Sequence, residues 1–160
     1  MISCIKDKSS PPSSKPILPA ETQVGKNTLG CLLNGEVWLP YVPPNFSGVY
    51  AISVDYDNGY FYIKGTRSNN NFSDAILISK NKIYSTGNFV LSEPEKGNYA
   101  RYLNLSKNCD ESTDSNNLGQ LTISRFDTIN GIFSGKFNFT VQSKECGILK
   151  ITEGRFDLKL

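Results

Sequence analysis

The chain has 160 residues, 38% of them hydrophobic, with 17 lysines and arginines against 15 aspartates and glutamates, four cysteines and no histidine. Once a polar N-terminal segment is set aside, about 130 residues remain, enough for one two-layer core and too few for a second domain. A net charge of +2 with both signs interspersed excludes the basic stripe of a nucleic-acid binder, and no apolar run approaches the ~18 residues that a membrane-spanning helix needs.

At the N-terminus, Ile2-Ser3 precedes Cys4 and the polar Ile5-Lys6-Asp7-Lys8 follows it. This is the arrangement around an acylated cysteine: a small residue suits signal-peptide cleavage, and a polar stretch holds a folded domain off a membrane. Met1 stands where the apolar core of a signal peptide should be ending, so the reading places the true start upstream. The other reading is an ordinary cysteine near the start of an intracellular protein. Ser9-Ser10-Pro11-Pro12-Ser13-Ser14-Lys15-Pro16 offers almost nothing to bury and cannot sustain a helix or a ladder, which predicts a disordered anchor and tether over residues 1–22 and a domain over 23–160.

Within the domain, Leu29 to Leu33 and Glu36 to Leu39 flank Asn34-Gly35, a dipeptide that supplies the positive φ of a tight hairpin turn. Val49 to Tyr56 alternates with Tyr50, Ile52, Val54 and Tyr56 on one face, and Asp57-Asn58-Gly59 turns the chain into Tyr60 to Lys64. Strands are also predicted at Ala75 to Ser79, Asn88 to Leu91 and Tyr99 to Leu105, separated by Asn/Ser/Gly clusters. For Asp74 to Lys80 a short helical turn is the alternative, since Ile76 and Ile78 fit period 2 only slightly better.

The last third is clearest. Leu121 to Phe126 forms a strand and Asp127 to Gly131 turns. From Ile132 to Val141, Phe133, Phe137, Phe139 and Val141 then share a face with Gly135 between them. Leu149 and Ile151 are in phase with each other, whereas Phe156, Leu158 and Leu160 fall in the opposite phase across Glu153-Gly154. A bulge at Gly154 would return all five to the core. About ten short strands without a convincing helix predict an all-β antiparallel meander, either a β-sandwich or a partly closed β-barrel.

Two segments carry a family resemblance. Thr28-Leu29-Gly30-Cys31-Leu32-Leu33-Asn34-Gly35-Glu36-Val37-Trp38-Leu39-Pro40 resembles the opening of a family of uncharacterised Bacteroidota lipoproteins, a domain of unknown function. The run from Leu121 through Gly131-Ile132-Phe133-Ser134-Gly135-Lys136-Phe137 to Gly154-Arg155-Phe156-Asp157 is similar to that family's end. The resemblance implies a lipid-anchored, β-rich envelope protein on the outer membrane or cell surface, attached through Cys4, with no catalytic residues to carry over. It also implies an oxidising compartment for the cysteines. With Cys4 lipidated, Cys31, Cys109 and Cys146 are left, an odd number. A Cys31–Cys146 disulfide would join the first and last strands and be worth roughly 3–5 kcal/mol, with Cys109 as competing partner and three reduced thiols as the other outcome.

The chemical inventory is short. The lack of histidine removes Ser-His-Asp and Cys-His activation and most zinc sites, and no cysteines are spaced as C-x-x-C, so neither metal nor cofactor is expected. Ser79-Lys80-Asn81-Lys82 matches a bare Ser-x-x-Lys pattern, read as coincidence because that serine belongs to a helix of a larger α/β domain. Arg125-Phe126-Asp127 and Arg155-Phe156-Asp157 form an internal repeat that one antiparallel strand would bring to the same end of the sheet. Four such side chains would grip an anionic or sugar ligand, or supply paired carboxylates for glycoside hydrolysis; the plainer reading is outward-facing ion pairs. Tyr60 and Tyr62 flank the more natural core residues Phe61 and Ile63 and are candidates for an exposed stacking platform. Asp127-Thr128-Ile129 resembles a bacterial O-glycosylation acceptor at a turn, with Thr128 as the acceptor. The expectation is a monomeric, non-catalytic envelope module that binds a glycan or a protein partner, with a small carboxylate-dependent hydrolase using Asp127 or Asp157 as the alternative.

Overall fold

The computed structural model describes residues 16–44 and 48–160; Cys4 and most of the expected tether lie outside the described residues. Among the described residues, eleven strands form two antiparallel sheets. β1 (Thr28–Leu33) and β2 (Glu36–Trp38) make the first hairpin, β3 (Ile52–Asp57) and β4 (Tyr60–Asn69) the second, and β5 (Phe72–Lys80) follows β4 through a tight turn. Then come β6 (Gly87–Leu91), β7 (Tyr99–Asn104), β8 (Cys109–Ser112), β9 (Gly119–Asp127), β10 (Ile132–Ser143) and β11 (Gly147–Lys159). One sheet runs β2-β1-β11-β10-β9-β6, the other β3-β4-β5-β7-β8. Neither sheet closes on itself, so the architecture is a sandwich and not a barrel.

The alternation read from the sequence builds the core. Phe133, Phe137, Phe139 and Val141 of β10 point inward with Leu121 and Ile123 of β9, and they meet Phe61, Ile63, Ile76 and Ile78 of the opposite sheet. A chain of rings crosses the interior: Tyr56 lies edge-on to Phe126 at 5.4 Å, and Phe61 packs against Phe133 and Phe156 at 5.7 and 5.9 Å. Such contacts add about 0.5–1.5 kcal/mol each beyond the area they bury. The segment from Asp74 to Lys80 is strand, with Ile76 and Ile78 buried and no helical turn.

Strand β11 contains the bulge that its phase change requires. Phe137 pairs with Gly154 and Phe139 with Ile151, so Thr152 and Glu153 together oppose Asn138; the same offset appears against β1 between Gly30 and Leu32. The strained residue is Glu153, at φ 50°, one position before the predicted bulge. Leu149, Ile151, Phe156 and Leu158 are returned to the core, but Leu160 is 52% exposed, because β11 ends at Lys159. A second register shift separates Ser134 from Gly135 against β9. A Cβ at Gly135 would stand 2.0 Å from the Thr122 carbonyl oxygen, so only glycine fits there.

Three further expectations change. Val49 and Tyr50 precede β3 and are 42% and 75% exposed, so the strand starts later than its alternation suggested. β8 is an additional strand. Part of the expected tether also belongs to the folded unit: residues 16–27 form an extended strap across the outer face of the larger sheet. Its Glu21 pairs with Lys136 at 2.7 Å, and Pro19 lies against Gly30 of β1.

Candidate ligand-binding cleft

The strap determines what becomes of the Arg-Phe-Asp repeat. Ser134 of β10 stands opposite both Arg125 of β9 and Asp157 of β11, so the repeat does bring these residues to one row on one face. Asp157 does not face solvent there; it is buried beneath the strap. Its carboxylate accepts hydrogen bonds from the Thr22 hydroxyl at 2.6 Å, the Ser134 hydroxyl at 2.8 Å, and the backbone N–H groups of Val24, Gly25 and Lys26 at 3.1, 2.7 and 3.2 Å. Burial pushes its pKa up, but these five donors outweigh that and hold the carboxyl well below the usual carboxylate range.

The other members of the repeat are engaged as well. Arg125 donates to Asp127 at 2.7 Å and to the Gln23 carbonyl of the strap at 2.5 Å. Asp127 also accepts from the backbone and side-chain nitrogens of Asn130, both at 2.9 Å, and together these contacts lower its pKa strongly, Arg125 first. Arg155 turns away from Asp157 to Glu153 at 3.2 Å and toward Glu21 at 3.7 Å. The plainer reading of outward ion pairs fits Arg125–Asp127 but not Asp157. A glycosidase acid needs a raised pKa, and both carboxyls are shifted the other way.

Cys31 is fully buried in β1, while Cys146, half-buried in the turn between β10 and β11, lies beside Cys109; all three thiols are unbonded. The expected Cys31–Cys146 pairing is not formed in this structure, in which Cys146 has Cys109 as a neighbour. Thr128 is exposed at its turn, next to Ile129 at 94% exposure. The buried carboxylate of Asp74 is a feature the sequence did not reveal. It accepts from Trp38 Nε1 at 3.0 Å, Tyr102 Oη at 3.0 Å and Arg67 at 2.8 and 3.1 Å, a network that ties β2 of one sheet to β4, β5 and β7 of the other. Every acceptor site is occupied by protein, so this cluster holds the sheets together and has nothing left to offer a ligand.

An open site lies at one end of the smaller sheet. The β3–β4 turn, the loop after β5 and the loop before β7 surround a cleft of about 600 Å3 lined by Tyr60, Tyr84, Lys80, Lys82, Lys96 and Asn98, with Asn58, Gly59, Asn81 and Glu93. Tyr60 is 37% exposed and stacks on half-buried Tyr62, centroids 6.5 Å apart and planes 15° off parallel. Tyr62 supports the platform and does not line the cleft. Tyr84, 64% exposed, lies over Gly59, whose φ of +90° and lack of a Cβ admit the ring at what would be 2.6 Å.

The cleft floor is fixed by hydrogen bonds. Ile83 N donates to Gly59 O at 2.9 Å, and Tyr56 Oη donates to Ile83 O at 3.0 Å. Lys80 Nζ donates to Asn98 Oδ1 at 3.2 Å and to Asn81 O at 3.0 Å, and burial lowers its pKa. Lys96 pairs with Glu93 at 2.6 Å, which raises the lysine and lowers the glutamate. Lys82 is exposed, adopts φ 61°, and has no ion-pair partner among the described residues. Of the cleft residues, only Tyr60 was legible beforehand; the rest come from three loops whose meeting no local pattern encodes. No family model, curated protein or solved structure matches this chain.

Proposed function

We propose that this protein is a non-catalytic envelope lipoprotein, anchored through Cys4, whose cleft between Tyr60 and Tyr84 binds an acidic polysaccharide. The observation that carries the reading is the combination of two exposed tyrosine rings with a lysine that has no ion-pair partner among the described residues, over a hydrogen-bonded floor. Aromatic faces stack on the apolar faces of sugar rings, the amide groups of Asn58, Asn81 and Asn98 suit hydroxyls, and three lysines against one glutamate favour a carboxylate-bearing sugar. The strained backbone at Lys82 is consistent with a side chain held for a ligand, since a non-glycine residue in that conformation costs of order 1 kcal/mol or more.

Calorimetric titration of the purified chain with an oligogalacturonate and with a neutral malto-oligosaccharide tests this. The acidic oligomer is expected to bind more tightly, Tyr84→Ala and Tyr60→Ala each to weaken it by about tenfold, and Lys82→Ala to reduce the preference for the acidic ligand. Binding that survives both tyrosine substitutions would rule out the aromatic platform.

A further inference from the structure

Cys109 opens β8, the edge strand of the smaller sheet, opposite Asn104 of β7, whereas Cys146 lies in the turn that joins β10 and β11 of the larger sheet. The two strands β8 and β10 are in contact. The turn is held by the Ser143 hydroxyl, which accepts from the backbone nitrogens of Glu145 at 3.1 Å and Cys146 at 3.3 Å. The Cys109 thiol has Cys146 and Ser143 as neighbours, and Cys146 packs on the same hydrophobic cluster that contains Cys109. Cys31 sits elsewhere in that cluster with no exposed surface.

We propose that Cys109 and Cys146 form a disulfide that links the two sheets, leaving Cys31 as the permanently reduced thiol. This assignment is independent of the ligand-binding reading. It also accounts for the odd cysteine: Cys31 is sealed from solvent, and that burial pushes its thiol up to about 12, so it is almost never a thiolate. Cys109 is fully buried, which pushes its thiol up to about 11, whereas Cys146 is half-buried at the surface, so Cys146 is the residue that meets the oxidant. With oxidised glutathione, the Cys146 thiolate attacks one glutathione sulfur, forming a mixed disulfide and releasing a glutathione thiolate. The Cys109 sulfur then attacks the Cys146 sulfur and expels the second glutathione, its proton passing to the released thiolate. Two S–H bonds are lost, one S–S bond forms, and two electrons reduce glutathione disulfide to two thiols.

The test uses the full chain carrying Cys4→Ser, equilibrated with oxidised glutathione, acid-quenched, alkylated under denaturing conditions and mapped by mass spectrometry. The expected product is two hydrogens lighter, with a Cys109–Cys146 linked peptide and alkylated Cys31, and it melts about 10 °C above the reduced form. The Cys109→Ser variant is expected to trap Cys146 as a glutathione adduct, and the map of the chain carrying only Cys4→Ser decides the matter if that variant fails to fold. A link that includes Cys31, glutathione adducts on both Cys109 and Cys146, or two unreacted thiols would each overturn the assignment.

Discussion

Asp157 draws five hydrogen bonds because the chain returns to it from more than 130 residues away in sequence: Thr22, Val24, Gly25 and Lys26 all converge on one carboxylate. Replacing it with asparagine keeps the shape but sets an NH2 group against backbone donors. We expect Asp157→Asn to cost about 2–3 kcal/mol at pH 7 in urea denaturation. The pH dependence follows from the sign of the shift. The folded pKa lies below the unfolded value of about 3.9, so the stabilisation is complete above roughly pH 5 and is lost as the pH falls through the unfolded and then the folded value. The stability gap between wild type and Asp157→Asn should therefore narrow between pH 5 and pH 3, and a gap that widens would contradict the ionised carboxylate. The repeat drew attention to Arg125, Asp127, Arg155 and Asp157, and the row they occupy was legible from strand pairing. Their partners were not, because Thr22 and Glu21 lie in a segment whose composition reads as tether and whose contacts are mostly to backbone and charge.

The strands themselves were read wherever apolar residues alternate, and the phase change at Glu153-Gly154 betrayed a bulge before its geometry was known. Cys109-Asp110-Glu111-Ser112 was missed because only Cys109 is buried, leaving no period to detect. Glycine placement carries the other element-scale consequence. Gly135 sits where β10 slips against β9, with the Thr122 carbonyl filling the space a Cβ would need. We expect Gly135→Ala to destabilise by about 3 kcal/mol or more, or to abolish folding. Gly87→Ala, whose Cβ would meet only the ring of Phe89 at 3.3 Å, should cost far less, within about 1 kcal/mol. Thermal melts of the two variants side by side check this, and equal losses would contradict the close approach at Gly135.

For the molecule as a whole, the all-β class followed from the count of short alternating strands, but the choice of a sandwich rests on long-range pairings. β1 joins β11, and β6 leaves the order of its neighbours to flank β9 in the opposite sheet. Period 2 fixes which face a residue occupies and carries no information about which strand lies beside it. The same limit applies to the cleft, which exists only because the turn at Asn58-Gly59, the loop through Lys82 and Tyr84, and the loop through Glu93 and Lys96 meet at one end of the sandwich. Because the proposed ligand contact includes exposed lysines, affinity for an oligogalacturonate is expected to fall as sodium chloride is raised through the physiological range, while any neutral-sugar binding stays flat. The most direct measurement is backbone amide NMR of the chain titrated with that oligomer. Shifts confined to Asn58–Tyr60, Lys80–Tyr84 and Glu93–Asn98 are the expected result; shifts centred on Arg125, Asp127 and the strap, or none at saturating ligand, would contradict the account.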